Sequence, residues 1–310
     1  MKWTKKGVVY CPDDSIEWMV SHAAFPTPLL LDDRIRVYIS IRGRDRQSVI
    51  GFVDVDREDP TTVLKVHDQP VLTQGKLGTF DDCGVQPMQA LIHDDRVYLY
   101  YLGWNPGTTV LARNNTGLAV STDGGETFER AFEGPVLDRT KDEPYFAYTP
   151  NIMIENGRWH LWYGSGTAWE EVNGKAEGLF EIKYAYSDDG IDWVRPNKTC
   201  IPPDHHLEVN CRPAVIKRNG VYHMWYSLRT AEDFRGGTNS YRIGYAHSTD
   251  HENWVRDDEN AGINVSKDGW DSEMICFCSV METDGKLHMF YNGNGFGLTG
   301  FGHAIMDSFG

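Results

Sequence analysis

Five aromatic-rich segments repeat along the chain, and each one alternates apolar and polar positions. They start roughly 60–66 residues apart and read RIRVYISIR (34–42), RVYLYYLG (96–103), RWHLWYGS (158–165), VYHMWYSLR (221–229) and KLHMFYNG (286–293). Period-two alternation rich in aromatic and β-branched residues is typical of β-strands. A polar turn and a further apolar run come before each segment: PTPLLL (26–31), QPMQALI (86–92), TPNIMI (149–154), RPAVI (212–216) and CSVME (278–282). The pattern predicts five antiparallel strand pairs.

A second repeated element lies downstream of three of these pairs. It reads STDGGETF (121–128), SDDGIDW (187–193) and STDHENW (248–254), and only the first copy has the full spacing of a sialidase-type Asp box. Ser and Asp side chains bond nearby backbone N–H groups and Gly accepts positive φ, so these stretches predict hairpin turns. The Asp box alone does not indicate a sialidase.

Each module therefore contains four strands, and there are five modules. Self-similarity at this period predicts an all-β protein, a five-bladed β-propeller with four-stranded antiparallel blades. We expect one domain over residues 1–310, closed by pairing of FGHAIM (301–306) with KGVVY (6–10).

Charge and composition narrow the possible partners. The formal net charge of the 310-residue chain is -15, which argues against nucleic acid because phosphate binding needs a basic surface. No apolar run is long enough to span a membrane, and the N-terminus lacks a signal-peptide core. The six cysteines show no paired zinc spacing. We expect a cytoplasmic protein with reduced thiols, no metal and no cofactor, and leave its oligomeric state open.

The five strand pairs and the SDDGIDW-type hairpins resemble the five-bladed β-propeller glycosidase superfamily of the arabinanase/xylosidase and invertase/levansucrase type. The resemblance covers nearly the whole chain. The sequence is also similar to the glycosyl-hydrolase-like proteins of this superfamily that accompany surface-polysaccharide biosynthesis. The resemblance implies a glycoside hydrolase-like enzyme of carbohydrate metabolism, with a small-molecule sugar or glycoside bound in an axial pocket.

Carboxylates are the first candidates for chemistry. We align the blades on the residue that opens each inner strand and expect the positions five and six residues upstream to converge on the axis; the opening residues are Pro28, Pro87, Pro150, Pro213 and Ser279. The upstream positions contain Asp82 and Glu208, with Asp81 and Glu273 as further candidates. Glycoside hydrolysis needs two carboxyl groups. We predict Glu208 as general acid and Asp82 as base or nucleophile; the alternative is that the Asp81–Asp82 pair caps a turn.

Blade 1 departs from the family. The arabinanase and invertase types place an Asp near the start of this blade, whereas SHAAFPTP (21–28) has no carboxylate and presents His22. Either the base comes from another blade or two-carboxylate hydrolysis is not the reaction.

Arginines form a second candidate group. Arg42 and Arg229 end equivalent aromatic strands, Arg212 precedes Pro213, and Arg44 and Arg46 follow Arg42. An arginine fork binds carboxylate or phosphate. The group predicts an anionic sugar as substrate; the alternative is structural pairing with axial carboxylates.

Aromatic and histidine side chains complete the predicted site. Trp104 and Trp169 are expected in loops, where they would stack on a sugar ring. His303 resembles the last-blade histidine that lies near the channel in some family members, but one histidine is weak evidence for a metal. Two other functions stay open beside the hydrolase: a phosphate-using phosphorylase or transferase, and a non-catalytic carbohydrate-binding propeller.

Overall fold

A computed structural model describes residues 1–44, 47–236 and 239–306, and in these ranges the chain forms twenty β-strands. The N-terminal strand is β1 (Thr4–Tyr10). Blade 1 contains β2 (Ser21–Leu30), β3 (Arg34–Arg42), β4 (Ser48–Asp56) and β5 (Val63–Val66). Blade 2 contains β6 (Val85–His93), β7 (Arg96–Pro106), β8 (Ala112–Ser121) and β9 (Glu129–Arg130). Blade 3 contains β10 (Ala147–Glu155), β11 (Arg158–Val172), β12 (Lys175–Ser187) and β13 (Val194–Ile201).

The last two blades complete the ring. Blade 4 contains β14 (Glu208–Arg218), β15 (Val221–Thr230), β16 (Arg242–Ser248) and β17 (Val255–Arg256). Blade 5 contains β18 (Cys276–Thr283), β19 (Lys286–Asn292), β20 (Phe301–Met306) and, on its outer edge, β1. The predicted closure is confirmed, since Val8 pairs with Gly302 in the antiparallel β1–β20 ladder. The five sheets are the predicted five-bladed β-propeller.

Helix is almost absent from the described residues. One short helix, α1 (Asn294–Gly297), precedes β20. None of the described helices is long and apolar enough to cross a membrane.

The inner strands contain β-bulges that shift the blade register away from the predicted one. Equivalent inner-strand positions are those that face the aromatic residues Tyr38, Tyr100, Trp162, Trp225 and Phe290, namely Thr27, Gln89, Asn151, Ala214 and Ser279. Pro150 and Pro213 lie one residue before this position, but Pro28 lies one residue after it. The alignment on opening residues was therefore wrong for blades 1, 2 and 5. A bulge adds a residue to one strand only, which residue counting does not detect.

The Ser-Asp-Gly stretches are turns, and they connect neighbouring blades. In the first, Ser121 Oγ accepts a hydrogen bond from the Gly125 N–H at 2.8 Å, and Asp123 Oδ1 accepts one from the Glu126 N–H at 3.0 Å. A turn carbonyl then accepts a hydrogen bond from the preceding blade, in the pairs Tyr38–Gly125 at 2.9 Å, Tyr100–Gly190 at 2.7 Å and Trp162–His251 at 2.9 Å. The repeated turn thus has a structural role.

Four blades contain the same ion-pair contact, which we call the tyrosine clip. In each clip a tyrosine hydroxyl from the second strand donates to a carboxylate, and a base from the outermost strand binds the same carboxylate. The clips are Tyr101–Asp81–Arg130, Tyr163–Glu143–Arg195, Tyr226–Asp258–Arg256 and Tyr291–Asp271–Lys5. Each clip fastens the outermost part of a blade to its second strand.

Candidate functional site

A cavity of about 390 Å³ lies where the five blades meet. Every blade contributes a residue from or beside its inner-strand bulge: Phe25, Gln86, Thr149, Cys211 and Phe277. Four of the blades place a residue with positive φ there, at Phe25, Thr149, Arg212 and Phe277. The volume is within the usual range of small-molecule sites.

The cavity wall combines aromatic surface with polar groups. Arg42 is exposed at the end of β3, and burial of its guanidinium lowers the pKa, although Arg stays charged at neutral pH. Trp104 lines the same wall and donates a hydrogen bond from Nε1 to Ser48 Oγ at 3.0 Å. Burial raises the pKa values of Tyr148 and Tyr241, so both hydroxyls are neutral.

A second cavity of about 200 Å³ adjoins the first and shares Tyr148 and Tyr241 with it. Trp169 and Phe234 line the second cavity, and so does Arg229, whose Nε donates to Tyr241 Oη at 3.0 Å. The Phe234 ring lies 3.7 Å below the Arg229 guanidinium. These two cavities extend along one face of blades 3 and 4.

The region around the axis is cationic. Among its described lining residues, the central cavity has no Asp or Glu. Arg212, next to the lining residue Cys211, is 1% exposed and donates to the Met88 carbonyl, to Thr27 Oγ1 at 3.1 Å and to Ser279 Oγ at 3.0 Å. No carboxylate pairs with it in the described ranges, and its Nε has no hydrogen-bond partner there. Burial lowers its pKa to about 10, which leaves it charged at neutral pH.

The adjacent residues Asp81 and Asp82 have different environments. Asp81 is buried in the clip of blade 2. Asp82 is partly exposed and accepts hydrogen bonds from the Gly78 N–H at 2.8 Å and from Asn105 Nδ2 at 2.7 Å. These bonds lower the pKa of Asp82. Asn105 follows Trp104, so Asp82 is held close to the cavity wall.

Glu208 and Glu273 lie apart from the central cavity lining. Glu208 is 4% exposed and accepts hydrogen bonds from Arg256 Nη2 at 2.5 Å and from the Asp204 N–H at 2.8 Å. Its partner Arg256 is also the base of the blade-4 clip. Glu273 is exposed before β18, and its described contacts are made by its backbone. The structure brings none of Asp81, Asp82, Glu208 and Glu273 into the described lining of the central cavity.

The two predicted histidines differ in position. His22, in β2, lies beside Arg42; burial and this charge lower its pKa to about 4. His303 is buried in β20, where its Nε2 lies 3.0 Å from His288 Nδ1 and burial lowers its pKa to about 3. His303 is not among the described residues that line the cavity.

Two further expectations concern loops. Trp104 and Trp169 were expected in loops, which is wrong: they lie in the extended ends of β7 and β11. Arg44 is exposed and pairs with Asp14, whereas Arg46 is outside the described residues.

Several cavity residues were missed from the sequence. They are Ser48, Gln86, Asn114, Tyr148 and Tyr241. The available signal was the stretch just before each inner-strand proline, as in VQP (85–87), YTP (148–150) and CRP (211–213), because the bulge turns these residues toward the axis.

Two uncharacterized Mycobacterium tuberculosis proteins are similar to this chain over its whole length. MT1551 of strain CDC 1551 / Oshkosh and Rv1502 of strain ATCC 25618 / H37Rv are each 36% identical over 310 residues, which is 99% of this chain and 100% of the relative. The chain belongs to the family of these proteins. No protein-family model matches it.

Solved structures of glycoside hydrolases share its fold. The structure of a BT0996 complex with RGII has a TM-score of 0.77 at 18% identity, covering 99% of this chain and 92% of that one. A thermostable family-43 glycoside hydrolase has a TM-score of 0.64 at 17% identity, covering 96% and 91%. A GH130 structure, from the family of mannoside phosphorylases that contains glycoside hydrolases targeting β-1,2-mannosidic linkages in Candida mannan, has a TM-score of 0.70 at 15% identity, covering 98% and 93%. The shared property is the five-bladed propeller.

Proposed function

We propose that this protein binds an anionic sugar or glycoside in the central cavity and acts on it as a glycosidase-type enzyme. The observation that carries the proposal is the cavity itself: all five blades build it, in a fold shared with glycoside hydrolases, and Arg42 lines it without an Asp or Glu among the described lining residues. Fold alone supports the enzyme class only by analogy, so the proposal depends on the site.

Recognition of the sugar is assigned to the cavity wall. Trp104 offers an apolar face for a sugar ring, and the Asn114 and Gln86 amides offer donors and acceptors to its hydroxyls. Arg42 supplies a fork for a carboxylate or phosphate group. Arg212 and Arg229 reinforce the positive field, because neither pairs with a carboxylate within the described residues.

Asp82 is the carboxylate that we assign to proton transfer. Its hydrogen bonds with Gly78 and Asn105 keep it ionised, as a general base must be, and it is partly exposed. We assign structural roles to Asp81 and Glu208, since each is buried against an arginine.

A non-catalytic carbohydrate-binding propeller is the second candidate. It is favoured by the same lining, since carboxylate catalysis on glycosides needs two carboxyl groups at the scissile bond. A phosphorylase is the third outcome of the test, because the cationic cavity also suits inorganic phosphate.

The test is turnover of a panel of neutral and uronate-containing oligosaccharides, with and without inorganic phosphate. Release of reducing sugar without phosphate supports hydrolysis, and formation of a sugar phosphate only with phosphate supports phosphorolysis. Asp82→Asn should lower either rate by about 10²-fold or more, as loss of a general base does. Asp188→Asn, at an exposed turn of blade 3, is the control. Binding without turnover selects the second candidate; neither binding nor turnover contradicts the proposal.

A further inference from the structure

Three potential metal ligands meet at the outer junction of blades 3 and 4. Glu155 ends β10, His160 lies in β11, and His251 lies in the turn between β16 and β17. One ligand atom from each lies within 4.8 Å of those of the other two. We call these residues the junction triad. None of them is among the described residues lining the central or the second cavity.

We propose that the junction triad binds a divalent transition-metal ion, for which Zn²⁺ is the best match. Two imidazole nitrogens and one carboxylate oxygen form a common zinc ligand set. Zinc bonds of about 2.0–2.1 Å in tetrahedral geometry place neighbouring ligand atoms roughly 3.4 Å apart. Glu155 Oε2 lies 3.0 Å from His251 Nε2, and the His160 and His251 rings stack at 3.7 Å with an interplanar angle of 6°. Small side-chain rotations therefore bring the three atoms around one ion.

The surroundings orient the ligands. His160 Nδ1 lies 2.7 Å from Tyr184 Oη, and a proton on this nitrogen leaves Nε2 free to bind a metal. The His251 backbone is fixed because its carbonyl accepts hydrogen bonds from the Trp162 and Trp254 indoles at 2.9 and 3.1 Å. An ion can enter from solvent, since Glu155 and His251 are only partly buried. A water molecule or Tyr222 Oη, 2.9 Å from His251 Nε2, can complete the coordination.

One neighbouring group opposes the ion. The Lys217 ammonium binds Glu155 Oε1 at 2.5 Å and Tyr222 Oη at 3.0 Å. Its charge repels a cation, but it occupies the carboxylate oxygen that does not face His251. Removal of the Lys217 charge should therefore strengthen metal binding, whereas it would weaken a site held together only by the salt bridge.

The sequence showed no metal-ligand spacing because the three ligands come from two blades and 96 positions separate Glu155 from His251. The proposed ion would link the inner hairpin of blade 3 to a turn of blade 4. It should raise the melting temperature as a ligand of the folded state without lying in the sugar cavity.

The experiment is calorimetric titration of Zn²⁺ into untagged, chelator-treated full-length protein, with Mg²⁺ as a second probe. We expect one Zn²⁺ per chain, no comparable Mg²⁺ binding, a tenfold or larger loss of Zn²⁺ affinity in His251→Asn, and a several-fold gain in Lys217→Gln. His206→Gln is the matched control, because His206 pairs with Glu170 away from the triad. Absence of stoichiometric Zn²⁺ binding, equal losses in His251→Asn and His206→Gln, or weaker binding in Lys217→Gln would each overturn the proposal. The Lys217→Gln result keeps the test valid even if His251→Asn does not fold.

Discussion

The central cavity and the tyrosine clips use similar residues in opposite ways. In the clips, each base binds a carboxylate, as Arg130 binds Asp81 at 2.7 Å. Around the cavity, Arg42, Arg212 and Arg229 have no carboxylate partner within the described residues. The chain carries a net charge of -15, yet its carboxylates are drawn to the clips and the surface, and the axis is cationic. In a propeller, a carboxylate near an inner strand is therefore weak evidence for acid/base catalysis.

The largest expected effect is in a clip. Asp81→Asn leaves the Arg130 guanidinium without its counter-ion beside a buried tyrosine, and breaking such a pair costs about 3–5 kcal/mol. Urea unfolding should show this loss. Tyr101→Phe removes a single hydrogen bond to the same carboxylate and should cost only about 1 kcal/mol. Equal effects of the two substitutions would show that the clip is not an ion-pair structure.

A smaller effect is expected at the cavity. Arg42→Ala should weaken binding of an acidic sugar roughly tenfold or more, because a hydrogen bond to a charged group contributes about 1.5–3 kcal/mol. Arg44→Ala is the matched control, since Arg44 is exposed and paired with Asp14. Calorimetric titration of both variants decides the point: similar losses would mean that the effect comes from general surface charge.

The sequence predicted the blades better than the site. Alternating strands and Ser-Asp-Gly turns are local patterns, so the five sheets and the β1–β20 closure could be predicted. The inner-strand bulges depend on pairing across the sheet, so counting from Pro28 and Ser279 placed the wrong residues at the axis. Asp81 and Asp82 are neighbours, yet one is buried in a clip and the other is partly exposed. Only the fold shows which carboxylate faces which partner.

The smallest effect concerns the Asp-box turn. Burial opposes ionisation of Asp123, but hydrogen bonds from Ser121, Thr127 and the Glu126 backbone outweigh it and hold the pKa at about 2. A folded-state pKa below the unfolded value stabilises the protein above about pH 4, and this contribution is lost as pH falls toward 2. Because the Asp123 side chain is exposed, we expect Asp123→Asn to cost no more than about 1 kcal/mol at pH 7. The cost should shrink in acid unfolding curves; a constant cost at all pH values would show that the charge has no role.

The most direct test of the cationic cavity is a comparison of matched acidic and neutral sugars. Glucuronate and glucose, then galacturonate and galactose, are titrated against the wild-type protein, with the fluorescence of Trp104 and the other tryptophans as readout. The arginines around the axis predict that the acidic member of a pair binds roughly tenfold more tightly and that salt reduces the difference. Equal affinity for both members of every pair, or a preference for the neutral sugars, would contradict an anionic ligand in the central cavity.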